Sequence, residues 1–179
     1  MKLLIIQTSP YHTASTFLVN ALYGLISECY NKKIIGIWNK KFYKYFKNII
    51  IIKNHNTDID ELIARYGKKY KLVFICSERQ DRNLLIDPKY KTYSNVTIFD
   101  FAELNETIDN PLKDIVDNIY EKIKNILPED ICIQLDKSRC IERINNMNAR
   151  YEEIKHNDFS FIDPFYEIHG SHRIRLNDS

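Results

Sequence analysis

The sequence predicts an α/β protein in which a central parallel sheet is flanked by helices. Short apolar runs rich in β-branched residues alternate with segments that have the spacing of amphipathic helices. The runs are continuously apolar, which is typical of strands buried on both faces. A chain of 179 residues is long enough for one domain with a substantial core. We therefore predict a single α/β domain that spans residues 1–179.

The strands and helices follow from this alternation in chain order. The predicted strands are residues 2–7, 33–37, 48–53, 71–76 and 95–101. The predicted helices are residues 15–28, 39–46, 58–66, 111–127 and 137–155. Residues 157–179 have no clear period, which predicts an ordered loop with a frayed tail.

Several residues mark helix boundaries. Asp58, with Glu61 three residues later, predicts a capping box, and Gly67 predicts the end of the same helix. Pro111 suits the first turn of the next helix, and Pro128 is expected to close it.

Charge and composition exclude several classes of protein. The formal net charge is +2 and charged residues make up 28%, so the overall field does not favour nucleic-acid or membrane binding. The four cysteines have no C-x-x-C spacing, which argues against a zinc site. No apolar run has the length of a signal-peptide core or a membrane span. We expect a soluble cytoplasmic protein, and the sequence leaves its oligomeric state open.

A hydroxyl-rich segment, residues 8–16, joins the first strand to the first helix. A loop that leads into a helix presents backbone N–H groups and the positive end of the helix dipole, which together favour an anion. The segment lacks the Gly and Lys of a Walker loop. In the alternative interpretation its hydroxyls merely cap the helix, through Thr13 or Ser15. One hydroxyl suffices for a cap, so the sequence favours an anion site.

Polar side chains also follow two later strands. Lys53 and His55 follow the third predicted strand, and Arg79 and Arg82 follow the fourth. Ligands of doubly wound sheets bind beyond the carboxyl ends of the strands, so these groups are expected near the first loop. Together they would suit a polyanionic ligand. The alternatives are a solvated strand end for the first pair and ordinary surface charges for the arginines.

Residues 12–18, His-Thr-Ala-Ser-Thr-Phe-Leu, resemble the phosphosulfate-binding loop of P-loop sulfotransferases. In that family a basic residue and a glycine take the positions of His12 and Ala14. Residues 53–55, Lys-Asn-His, resemble the family's Lys-Thr-His segment, whose histidine is the general base. The resemblance implies a three-layer P-loop NTPase-like fold. It implies 3′-phosphoadenosine 5′-phosphosulfate (PAPS), or its desulfated product PAP, as cofactor and a small-molecule or glycan hydroxyl as acceptor.

The resemblance also implies roles for individual residues. His55 would be the base, Lys53 would neutralise developing charge, and His12 would serve as the cation or acid beside a phosphate. The segment 168–173 is comparable in kind to the basic, Gly-containing loop that completes the family's nucleotide pocket. The expected cofactor-binding residues are Thr13, Ala14, Ser15, Thr16, Phe17, Arg79, Arg82, Ser171, His172 and Arg173.

Two other functions remain open. The replacement of the customary basic residue and glycine by His12 and Ala14 favours a degenerate member of the fold that binds without catalysis. A nucleotide or nucleoside kinase would share the strand, loop and helix. It fits less well, because the Gly-Lys-Ser/Thr segment that holds the β-phosphate and Mg²⁺ is missing.

Overall fold

A parallel sheet, to which the described residues contribute four strands, forms the centre of the molecule. The computed structural model describes residues 2–26, 49–55, 57–154, 162–163, 166 and 168–169. The strands are β1 (Leu3–Thr8), β2 (Ile49–Asn54), β3 (Lys71–Glu78) and β4 (Val96–Asp100). Their order in the sheet is β2-β1-β3-β4. The predicted α/β class with a parallel sheet is confirmed, and the strand predicted at 33–37 and the helix at 39–46 lie outside the described residues.

Helices account for most of the remaining described chain. They are α1 (Ser15–Ile26), α2 (Ile59–Tyr66), α3 (Leu112–Lys124), α4 (Glu129–Cys132) and α5 (Lys137–Ile154). Three short 3₁₀ helices span Gln80–Arg82, Pro88–Thr92 and Phe101–Leu104. Near the C-terminus, β5 (Ile162–Asp163) pairs antiparallel with β6 (Ile168–His169), in a segment predicted to be a loop. None of the helices in the described ranges is long and apolar enough to cross a membrane.

The two faces of the sheet carry separate apolar cores. Because side chains alternate along a strand, Leu3 and Ile5 of β1 pack under α1, α3 and α5. Leu4 and Ile6 pack on the opposite face, under α2 and the 3₁₀ helix Pro88–Thr92. The molecule therefore has three layers, with β1 buried on both sides.

The connections diverge at the carboxyl end of β1. The chain leaves β1 for α1, which packs on one face of the sheet. β2 and β3 lie on either side of β1. After each of these two strands the chain crosses the face of the sheet opposite α1, where Ile59 and Tyr90 are buried. Ligands of open α/β sheets bind where adjacent connections separate in this way. The topology thus indicates the loop after β1 as the place where a ligand would bind.

The ends of α2 follow the prediction in part. Asp58 caps the helix, since its Oδ1 accepts a hydrogen bond from the Glu61 backbone N–H at 3.0 Å. Gly67 ends the helix in a right-handed conformation, with φ −61°. A Cβ at this position would lie 2.7 Å from the Ile63 carbonyl oxygen. Glycine is therefore required here for space and not for a left-handed backbone.

The prolines act differently from the prediction. Pro111 occupies the N-cap of α3, with φ −68° and ψ 156°. The helix then ends at Lys124, and Pro128 takes the N-cap of the additional short helix α4. The prediction that Pro128 closes the same helix is wrong. A proline lacks an N–H group and has a fixed φ, so it is also suited to precede a helix.

Candidate anion-binding site

The loop between β1 and α1 has an unusual backbone conformation. His12 and Ala14 adopt positive φ values of 66° and 63°. Left-handed conformations are uncommon for residues other than glycine and are found more often at functional sites. Successive backbone N–H groups in turns of this kind form concave sites that bind anions. The loop geometry therefore supports the predicted anion site.

The N-terminus of α1 has no hydroxyl cap from the residues predicted to supply one. The first helical hydrogen bond runs from Leu18 N–H to the Ala14 carbonyl at 3.0 Å. The Thr13 hydroxyl instead donates to the Pro10 carbonyl at 2.8 Å, so Thr13 is not the cap. Among the described residues, the backbone N–H of Ser15 meets no acceptor, nor does that of Phe17. N–H groups in the first turn of a helix have no partner within the helix and can accept an anion as their partner.

A buried chain of hydrogen bonds holds the loop against β3. Gln7 Nε2 donates to Ser9 Oγ at 2.7 Å, and the Ser77 backbone N–H donates to the same oxygen at 2.8 Å. Ser77 Oγ lies 2.9 Å from Ser9 Oγ and 3.0 Å from Thr13 Oγ1. The two donors to Ser9 Oγ occupy both of its lone pairs, so the Ser9 hydroxyl donates to Ser77 Oγ. The Ser77 hydroxyl then donates to Thr13 Oγ1, and the Thr13 hydroxyl donates to the Pro10 carbonyl. Each hydroxyl is satisfied in this order.

Ser77→Ala is expected to lower the free energy of unfolding by roughly 1–3 kcal/mol. The substitution leaves the buried hydroxyl of Ser9 without an acceptor and removes the donor to Thr13. Urea denaturation measures the change. Ser138→Ala, at an exposed position of α5, is the matched control and should have almost no effect. Equal stability of the two variants would contradict the assigned chain of hydrogen bonds.

Lys53 brings a positive charge to the start of α1. It lies near the carboxyl end of β2, beside Gln7 of β1, and only 4% of the residue is exposed. Its Nζ donates a hydrogen bond to Thr16 Oγ1 at 2.7 Å. Burying an ammonium group costs free energy unless hydrogen bonds or an anion compensate. A bound anion at the start of α1 would provide part of this compensation.

His55 lies next to the same loop. Its Nδ1 is 3.0 Å from the Ser9 carbonyl oxygen, so Nδ1 carries the proton and Nε2 is left as the acceptor. Burial lowers the pKa of His55, the Ser9 hydrogen bond opposes this shift, and the charges of Lys53 and His12 lower the pKa further. The imidazole is therefore neutral at pH 7, the form that can accept a proton.

The structure brings part of the predicted site together. Thr16 contacts Lys53, and the charge of His12, which is exposed, acts on His55. Phe17 packs partly buried against the core on the α1 face. Its side chain therefore contributes to packing, while its backbone N–H belongs to the open start of the helix.

The predicted arginines have different environments. Arg79 makes two hydrogen bonds to Asp81, at 2.7 and 2.9 Å, and its guanidinium lies 4.1 Å from the centre of the Phe101 ring. Arg82 is exposed at the end of a 3₁₀ helix. Arg79 thus interacts with Asp81 and with the ring of Phe101. Ser171, His172 and Arg173 lie outside the described residues.

Sequence reasoning missed the residues that hold the loop in place. Tyr11 stacks on His55, and Ser9 and Ser77 belong to the buried chain of hydrogen bonds. One signal was present, because a serine directly after the apolar core of a buried strand must find polar partners. Which partners it finds depends on how the strands are ordered.

The chain matches no known family model, and no curated protein is significantly similar to it in sequence. The fold defines an α/β protein with a parallel central sheet. Its candidate site is the loop that leads from β1 to α1, together with the end of β2.

Proposed function

We propose that the chain binds PAPS, or PAP, through residues 9–17, which comprise the loop after β1 and the first turn of α1, and transfers the sulfuryl group of PAPS to a hydroxyl acceptor, releasing PAP, on a P-loop NTPase-like fold. One observation carries the proposal. Lys53 and His55, from one strand end, contact the same loop, at Thr16 Oγ1 and at the Ser9 carbonyl. A buried cation and a neutral imidazole thus adjoin the start of α1, where the N–H groups of Ser15 and Phe17 meet no acceptor among the described residues.

The residues at this place fit a phosphosulfate group. The open N–H groups of Ser15 and Phe17 suit its oxygens, and Lys53 supplies the charge. Ala14 has the left-handed conformation that glycine adopts readily, and the sulfotransferase loop has glycine at that position. The 3′-phosphate has less support, because Arg79 is paired with Asp81. When bound, PAPS supplies an activated sulfuryl group.

The chain's own residues would provide acid–base and electrostatic assistance. Nε2 of His55 accepts the proton of the acceptor hydroxyl, while the Ser9 carbonyl holds the opposite ring nitrogen. The bond between sulfur and the bridging phosphate oxygen breaks, and the ammonium of Lys53 and the N–H groups at the start of α1 would stabilise the negative charge that develops on that oxygen of the departing PAP. These roles place the base and the cation at the carboxyl end of the same strand, β2.

We expect PAP to bind the full chain in a calorimetric titration. His55→Gln should leave this affinity nearly unchanged and lower sulfuryl transfer about 100-fold, because it removes only the base. Transfer should also decline as the pH falls through the pKa of His55, which lies below its usual value. Radiolabelled PAPS with a panel of phenols, alcohols and sugars measures the transfer. The absence of PAP binding at millimolar concentration would refute the proposal.

A binding module without catalysis is the second candidate. The exposure of His12 favours it, because His12 was expected to serve as the cation or acid beside the phosphate during transfer. It predicts PAP binding without transfer and no effect of His55→Gln. Magnesium-dependent ATP binding would instead favour the kinase alternative.

A further inference from the structure

We propose that Tyr11 is a positioning residue, which holds the His55 imidazole by stacking so that Nε2 is the nitrogen available to the acceptor. This inference rests on the proposed function in naming His55 the base. The geometry of the stack does not depend on that function.

The contact between the two rings is close and nearly parallel. Their centroids are 4.0 Å apart and the interplanar angle is 22°. Tyr11 is 61% exposed, so burial in the core does not account for its position. Within the described chain, its ring contact is with His55. An exposed aromatic side chain that covers one face of a candidate base has a local role.

Two restraints from one loop fix the imidazole. The Ser9 carbonyl holds the Nδ1 edge, and Tyr11, two residues later, holds one face of the ring. An edge and a face together determine the orientation of a planar group. Because both restraints come from the loop that leads into α1, the base is aligned with the proposed anion site.

The stack also controls how much water reaches the imidazole. Burial is the largest cause of the lowered pKa of His55, and the nearby charged groups, Lys53 and His12, act in the same direction. Removing the Tyr11 ring exposes one face of the imidazole and relieves part of this burial. The pKa should then rise toward its usual value.

The test compares Tyr11→Ala with Tyr11→Phe in the full-length protein. Proton NMR titration without ligand measures the pKa of His55, whose signal is assigned by its loss in His55→Gln. Tyr11→Ala should raise that pKa, whereas Tyr11→Phe retains the stack and should not. Leu85→Ala, at an exposed apolar residue elsewhere, is the control and should leave the pKa unchanged.

Kinetics provide the second measurement. Tyr11→Ala should lower kcat roughly 10- to 100-fold, shift the acidic limb of the pH profile upward and leave PAP affinity within about twofold. Tyr11→Phe should restore kcat. An unchanged pKa in Tyr11→Ala, or an equal loss in both variants, would overturn the inference. Because the titration needs no ligand, a failure to bind PAP would refute the proposed function without altering this result.

Discussion

Lys53→Met is expected to weaken PAP binding about 10- to 100-fold. The ammonium of Lys53 donates to Thr16 at the start of α1, where the helix dipole also favours an anion. A hydrogen bond to a charged group contributes roughly 1.5–3 kcal/mol, which corresponds to about this loss of affinity. Methionine has a similar length but no charge, so the loop keeps its packing and loses its cation.

The same substitution should not destabilise the protein without ligand. Lys53 is almost fully buried, and burial of an ammonium opposes folding. Methionine fills a similar volume without this cost of burying a charge. The melting temperature of Lys53→Met should therefore equal or exceed that of the wild type. A loss of affinity without a loss of stability separates a ligand-binding lysine from a structural one.

Calorimetric titration with PAP and thermal melting provide the two measurements. Lys113→Met is the matched control, because it removes one positive charge from an exposed side chain that pairs with Asp117 on α3. It should bind PAP with wild-type affinity, which excludes an effect of net charge alone. Wild-type affinity in Lys53→Met would contradict the assigned role, and so would a large fall in its melting temperature.

The sheet could be predicted because its signal is local. Continuous apolar runs such as residues 2–7 and 71–76 mark strands buried on both faces, and the structure has β1 and β3 there. Ligands of parallel sheets bind beyond the carboxyl ends of the strands, so residues 53–55 were expected near the first loop. In the structure Lys53 and His55 lie there. Strand order was not predicted, because it depends on contacts between distant parts of the chain.

The contacts that shape the candidate site are long-range, and therefore no local pattern reveals them. Ser9 and Ser77 meet only because β1 and β3 are neighbours. Arg143 gives a second example, since its helix was predicted, at residues 137–155, from periodicity alone. Its Nε donates to Asn20 Oδ1 at 2.9 Å, and its guanidinium lies over the ring of Tyr166. Periodicity identified the helix but not its polar partner.

Gly24→Ala is expected to destabilise the protein by about 1–3 kcal/mol, although helices usually favour alanine over glycine. In an exposed helix this change gains up to ~1 kcal/mol. Gly24, however, lies where α1 packs closely on α5, and a Cβ there would lie 2.5 Å from the Cα of Cys140. The backbone atoms Arg139 O and Cys140 N are both 3.0 Å from it. The helices must therefore separate to admit the methyl group.

Urea denaturation measures this loss, and two further variants define its cause. Asn145→Ala, at an exposed position of α5, reports the propensity effect alone and should be neutral or slightly stabilising. Cys140→Ala should not rescue Gly24→Ala, because the obstructing atoms belong to the backbone of α5 and not to the Cys140 side chain. Rescue in the double variant, or a gain of stability in Gly24→Ala, would show that α1 and α5 are less tightly packed. Because α1 begins at the candidate site, displacement of the helix should also weaken PAP binding.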